Sequence, residues 1–270
     1  MQRENSAART IVLTGAAGLL GRAIAEALVG AGHRLLLTDR GVDDLEAAAN
    51  QLGGGKGAVA ICATDLTSAE APAKIEAAAA KAFGPVDMLI NNAAFTAFAA
   101  WAEADQPNAW ELETELVRTF FEINFIAQQA LVRQFVPGMI ERRWGRVVNL
   151  SCSYDTMQRL YPYGATKAAL EAFTSAMEKQ LAGTGVTAHT LNPGGPVFHP
   201  AHYAAHPNLT WVQPDIVNAP LLWLASDDSN GIPGRRWIGT RWLEGMEPME
   251  ALGRAAGPMN FLGFGAFALR

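Results

Sequence analysis

Seven short runs of β-branched and leucine residues recur along this chain, each separated from the next by a stretch with helical periodicity. The runs are I-V-L-T (11–14), L-L-L-T (35–38), A-V-A-I-C (58–62), V-D-M-L-I (86–90), R-V-V-N-L (146–150), V-T-A-H-T-L (186–191) and R-W-I-G (236–239). Most show no regular apolar–polar alternation, so both faces of each strand need cover. Helical patterns span Leu20–Val29, Asp43–Leu52, Ser68–Phe83, Trp110–Arg142, Tyr163–Leu181 and Pro214–Ala225. Buried strands alternating with helices predict a parallel sheet sandwiched between helical layers. Right-handed crossovers make it a doubly wound α/β sheet of about seven strands, with ligands at the carboxyl ends of the strands.

At 270 residues, half of them hydrophobic, the chain can bury one sizeable core, and no linker or repeat divides it. A single domain over 1–270 is expected. It has a polar N-terminal tail (1–9), a substrate lid at 195–213 and a C-terminal tail (244–270) packed on the core or a neighbouring subunit. The net charge of −5, with both signs scattered, argues against nucleic acid or an anionic membrane as partner. Two cysteines, no leader-like apolar start and no run of about 20 apolar residues point to a cytoplasmic protein.

The first strand runs into T-G-A-A-G-L-L-G-R-A-I-A, so Gly15, Gly18 and Gly21 fall between strand and helix, with Leu19 and Leu20 inside the turn. Glycines there allow a tight turn and close approach to a pyrophosphate, and the helix N-terminus supplies amide donors. This is a Rossmann-type dinucleotide signature. Asp39 ends the second strand, where a carboxylate accepts hydrogen bonds from the adenosine ribose and repels a 2′-phosphate. NAD is therefore expected as cofactor, with NADP possible because Arg40 is adjacent; the plainer role for Asp39 is to cap the turn.

Tyr163 and Lys167 lie four residues apart in Y-P-Y-G-A-T-K-A-A-L, on one face of a helix. An ammonium there favours the charged form of a phenol, and a phenol so tuned can exchange a proton with a substrate oxygen. Tyr161 is the competing phenol, without a lysine four residues on.

The glycine turn, N-N-A-A (91–94), Asn124 and Y-G-A-T-K (163–167) together resemble the short-chain dehydrogenase/reductase family from about Thr10 to Trp242. The resemblance implies NAD(P)-dependent hydride transfer between nicotinamide and a secondary alcohol or ketone. Tyr163 would be the acid–base and Lys167 would hold the nicotinamide ribose. It further implies that Asp65 and Leu66 hold the adenine, Asn92 and Ala93 flank the cofactor, Asn124 belongs to a proton relay, and Pro193, Gly194 and Val197 lie beside the nicotinamide. Three departures stand out. Leu19 replaces a glycine, giving a spacing like that of an extended branch of epimerases and dehydratases. The position of the family serine falls on Cys152, with Ser151 and Ser153 on either side and Ser153 favoured. The threonine that follows the Pro-Gly turn in the family is missing. These departures keep open a cofactor-binding protein without redox turnover, or an extended-branch epimerase or dehydratase.

Residues 195–213 contain His199, His202 and His206 with Tyr203 and Trp211. Prolines interrupt the segment and no carboxylate or thiol joins the imidazoles, so a substrate lid is expected and no metal. Phe95, Phe98 and Trp101 would form another wall, suiting a partly apolar, cyclic or aromatic alcohol or carbonyl. The long helices from Trp110 to Arg142 and from Tyr163 to Leu181 imply a homo-oligomer, a dimer or tetramer, by the same resemblance.

Overall fold

The structure, a computed structural model, describes residues 7–53, 57–96, 107–205, 207–243 and 246–257. Seven parallel strands form the expected sheet: β1 (Thr10–Thr14), β2 (Arg34–Asp39), β3 (Val59–Ala63), β4 (Met88–Asn91), β5 (Gly145–Leu150), β6 (Val186–Asn192) and β7 (Arg236–Ile238). Their order is β3-β2-β1-β4-β5-β6-β7, and a two-residue antiparallel strand, β8 (Ala256–Gly257), extends the edge beside β7. That eighth strand, and the helix Pro248–Ala255 before it, lie in a tail without a readable period.

The strands are apolar throughout because alternate residues feed two cores. Ile11, Leu13, Leu35, Leu37, Met88, Ile90 and Val148 pack against α1 (Leu19–Gly30) and α2 (Val42–Gln51) on one face. Val12, Leu36, Leu89 and Val147 pack on the other against α3 (Ala71–Ala82) and a later helix that carries Leu131 and Phe135. Each fully buried leucine or isoleucine side chain contributes roughly 1.5–3 kcal/mol. The strand order reverses between β1 and β4, opening a crevice at their carboxyl ends.

The stretch read as one helix from Trp110 to Arg142 is three pieces: α4 (Thr114–Phe121), a π-helical turn (Glu122–Ile126) and α5 (Ala127–Glu141). Residues 110–113 lie outside it, and Trp110 is 83% exposed. A short helix not expected from the sequence, α6 (Tyr154–Arg159), follows β5 and leads into α7 (Tyr163–Gln180). Among the described residues no helix is long and apolar enough to cross a membrane.

Candidate active site

At the end of β1, Gly15 has a φ of +64°, and a Cβ there would lie 2.7 Å from the Cα of Ala93. A Cβ on Gly21 would lie 2.7 Å from the Cα of Ala16. Both positions are glycine because backbone passes too close for anything larger. Gly18 differs: the nearest atom to its Cβ would be the Gly15 carbonyl oxygen at 3.5 Å, an ordinary contact. The protein's own packing leaves room beside Gly18 at the N-terminus of α1, where helix amides and positive partial charge suit a phosphate. The turn therefore fits a dinucleotide, with Leu19 and Leu20 opening the helix and Leu19 44% exposed.

Side chains lace this turn to β4. Thr14 Oγ1 accepts from the amides of Asn92 (3.0 Å) and Ala93 (2.9 Å), and Asn92 Nδ2 donates to the carbonyls of Thr14 and Gly15, both at 3.0 Å. Asp39 accepts from the amide of Ala17 (3.1 Å) and from that of Arg40 (2.7 Å), so its carboxylate pins the glycine turn while remaining half-buried at the sheet edge. Asp65 accepts from the amide and hydroxyl of Thr67 at 2.9 and 2.8 Å, and these bonds hold its carboxyl below the usual range. Leu66 packs against the second core.

Tyr163 opens α7, and Lys167 follows one turn later. Gly164 lets α6 approach, since a Cβ there would lie 2.6 Å from the Cα of Met157. Lys167 is 1% exposed; its Nζ donates to the carbonyl of Leu150, the last residue of β5, at 2.8 Å, and stands 5.7 Å from the centre of the Tyr163 ring. The pair thus lies at the same carboxyl edge of the sheet as the glycine turn. Burial draws the Lys167 ammonium down to about 8, opposed by the nearby Cys152 and Glu171. Burial raises the Tyr163 phenol well above its ordinary value, and Cys152 adds to the shift.

The three residues after β5 have different surroundings. Ser151 is buried and donates to Glu171 Oε1 at 2.6 Å. Ser153 caps α6, its Oγ accepting from the Thr156 amide at 3.0 Å and lying 2.9 Å from the Thr156 hydroxyl. Both hydroxyls are engaged by the protein itself, including that of Ser153, which the sequence reading favoured. Cys152 lies between them, buried, with Lys167, Glu171, Arg236 and Tyr163 as electrostatic neighbours; burial pushes its thiol up to about 12.

Asn124 sits in the π-helical turn, fully buried. It accepts from the amide of Phe95 (2.7 Å) and donates to the Phe95 carbonyl (2.9 Å) and to Thr166 Oγ1 (3.1 Å), while Thr166 donates to the Tyr163 carbonyl at 2.7 Å. The extra residue of that turn moves Asn124 into reach of both the loop after β4 and the start of α7. Beyond β6, Gly194 has φ +99° and its amide donates to Asn192 Oδ1 at 2.7 Å; a Cβ there would run into the side chain of Thr240. Thr240, exposed after β7 and donating its amide to the Pro193 carbonyl at 3.1 Å, brings a hydroxyl to the Pro-Gly turn that the local sequence lacks.

Val197 pairs with Val212, and the Phe198 amide donates to the Val212 carbonyl at 2.8 Å, closing the base of the 195–213 segment around a short helix, Pro200–Ala205. The Phe198 and Tyr203 rings lie 5.4 Å apart, Tyr203 and Trp211 6.5 Å, and His199 and His202 4.5 Å. Phe95 packs on Phe120 at 4.7 Å. Phe98, Trp101, His206 and the tail from residue 258 lie outside the described residues. Among the described residues no group of three His, Cys, Asp or Glu could hold a metal ion.

Glu171, Arg236 and Thr240 escaped the sequence reading. The only hint for Glu171 was its place at the i+4 position from Lys167; the other two reach the site through β7, at the far end of the chain.

A family model described as short chain dehydrogenase matches residues 9–197. The chain is 33% identical over 187 residues to a 1,6-dihydroxycyclohexa-2,4-diene-1-carboxylate dehydrogenase of Pseudomonas putida, covering 69% of this chain and 66% of that protein. Its fold is similar to a 3-oxoacyl (acyl-carrier-protein) reductase of Agrobacterium tumefaciens C58 with NADP bound (25% identity, TM-score 0.74, 86% of this chain and 93% of that one). It is also similar to a 3-oxoacyl-[acyl-carrier protein] reductase of Brucella melitensis with bound NAD (26% identity, TM-score 0.72, 86% and 90%).

Proposed function

Because the chain belongs to the short-chain dehydrogenase family, we propose that it interconverts a secondary alcohol and a ketone, with Tyr163 as the group that exchanges the proton. The observation that carries this reading is the pair itself: Lys167 Nζ 5.7 Å from the Tyr163 ring centre and anchored on Leu150 at the end of β5. When bound, a nicotinamide cofactor supplies or accepts the hydride. The glycine turn would hold its pyrophosphate, Asp39 and Arg40 the adenosine ribose, Asp65 and Leu66 the adenine. Asn92, Ala93, Lys167 and the Pro193–Val197 segment would hold the nicotinamide half.

In the reducing direction Tyr163 Oη gives its proton to the substrate oxygen; in the oxidising direction it takes that proton back. Burial keeps the phenol protonated in the protein alone, the state that reduction needs. The Lys167 ammonium favours the phenolate and so supports oxidation. Because burial lowers Lys167 to about 8, that support should be present below about pH 8 and be lost above it. Asp39 supports NAD over NADP, since a carboxylate at the ribose repels a 2′-phosphate; the similar structures hold NAD in one case and NADP in another. The rings of Phe95, Phe198, Tyr203 and Trp211 suit a substrate that carries a ring, in keeping with the cyclic substrate named for the Pseudomonas relative.

A second reading, cofactor binding without turnover, draws on the engagement of Ser151 and Ser153 by Glu171 and Thr156. One experiment separates the two: mix the protein with NADH or NADPH and a panel of cyclic and aromatic ketones, and follow absorbance. The proposal expects NADH to be consumed faster than NADPH with at least one ketone. Tight NADH binding with no consumption across the panel would favour the second reading.

A further inference from the structure

Behind the Tyr163–Lys167 pair the protein buries an ion pair that the chemistry itself does not require. Glu171, one turn beyond Lys167 on α7, and Arg236, at the start of β7, are 7% and 6% exposed and meet at 3.0 Å. Arg236 Nε donates to both carboxylate oxygens, at 3.1 and 3.0 Å. Taking two charges out of water is costly, and attraction offsets that only with good geometry and further hydrogen bonds. Those further bonds all go to one place. Glu171 Oε1 accepts from Ser151 Oγ at 2.6 Å, Arg236 Nη2 donates to the carbonyl of Cys152 at 2.9 Å, and the guanidinium stacks over the Tyr154 ring with 4.2 Å between its carbon and the ring centre. Three contacts thus tie residues 151, 152 and 154, the chain leaving β5, to a buried charged bracket. That is the stretch whose thiol neighbours Lys167 and Tyr163.

We propose that Glu171 and Arg236 are positioning residues for the reaction: their ion pair fixes the backbone from Ser151 to Tyr154, and so the wall against which a substrate oxygen must lie beside Tyr163. The inference rests on the alcohol–ketone reading above. Neither residue touches the reacting atoms; both act through the strand end. A misplacement of about 1 Å at such a wall costs roughly a hundredfold in rate.

The test uses the full-length protein with Glu171→Met, Arg236→Met and the two changes together, read by melting temperature, NADH affinity, turnover of a ketone and alkylation of Cys152 by iodoacetamide followed by mass spectrometry. Each single variant strands a buried charge and should melt lower, while the double variant replaces the pair with apolar groups and should recover much of that loss. In the double variant kcat is expected to stay roughly a hundredfold down, with NADH affinity near that of the wild type. Cys152, no longer held through its carbonyl, should alkylate faster than in the wild type while Cys62 does not. A stable double variant with wild-type kcat, or with wild-type Cys152 protection, would overturn the inference and reduce the pair to a packing role. A wild type without turnover on any ketone would instead overturn the functional reading; unchanged Cys152 protection in the double variant would still dispose of the bracket separately.

Discussion

The two halves of the sheet bury different chemistry. From β1 to β4 the buried side chains among the described residues are apolar or uncharged, such as Ile11, Leu36, Thr14 and Asn91, with His33 and Cys62 the titratable exceptions. From β5 to β7 the protein buries Arg146, Lys167, Glu171, His189 and Arg236. The first half builds its site from backbone: glycines where Cβ atoms would collide, and amides at the head of α1. Such a site needs no buried charge, because helix amides and their partial charges can receive an anion. On the function proposed above, the second half works on a proton, and acid–base groups suited to that are ones that ionise. Groups of that kind survive burial only if the fold brings them partners.

The contrast is broken most directly at Arg236. Replacing it with methionine leaves Glu171 buried and unpaired, a loss expected to be about 3–5 kcal/mol in urea denaturation. A volume-conserving Leu35→Met in the first half should cost under about 1.5 kcal/mol. Equal losses from the two would erase the distinction.

Acid should sharpen it. His189 is buried, accepts through Nδ1 from the Arg235 amide and Trp237 Nε1, and pairs through Nε2 with the Thr187 hydroxyl; burial and the nearby Arg146 and Arg235 lower it to about 3. With the folded pKa depressed below the unfolded value of 6.5, this stability is present above pH 6.5 and is lost as pH falls toward 3. The loss should be about 2 kcal/mol between pH 6.5 and 5, by linkage. His33 is lowered in the same direction, so the readout is the difference between wild type and His189→Gln. An identical slope in both would remove His189 from the account.

In the first half the effects should fall on affinity. Asp39→Ala is expected to shift the NADP-to-NAD affinity ratio about tenfold toward NADP, as removal of a like charge does; a fixed ratio by fluorescence titration would remove Asp39 from cofactor choice. Gly18→Ala is a modest change in stability, about 0.5–1 kcal/mol, because alanine is a poorer helix N-cap than glycine. It should nonetheless weaken NADH binding, because the space it fills is the one proposed above for the pyrophosphate. A melting point well below wild type would mean that Gly18, like Gly21, is required by packing.

The same division runs through what could be read from the chain. The parallel sheet, the glycine turn and the Tyr163–Lys167 spacing follow from local patterns, since periodicity and i,i+4 geometry are properties of neighbours. The π-helical turn at Glu122–Ile126 carries no local signature; it extends a continuous helical pattern by one residue and is visible only through what Asn124 reaches. Ser151, Cys152 and Ser153 are told apart by their partners: Glu171, 20 residues from Ser151; Arg236, 84 residues from Cys152; and Thr156, three residues after Ser153. Thr240 illustrates the same point. The hydroxyl sought just after Pro193-Gly194 comes to that turn from the far end of β7.

The most direct measurement is turnover and NADH binding by Tyr163→Phe, side by side with the wild type. The account predicts that kcat falls by roughly a hundredfold to ten-thousandfold, the usual contribution of an acid–base group, while the NADH dissociation constant stays close to its wild-type value. A variant that retains wild-type turnover would contradict it.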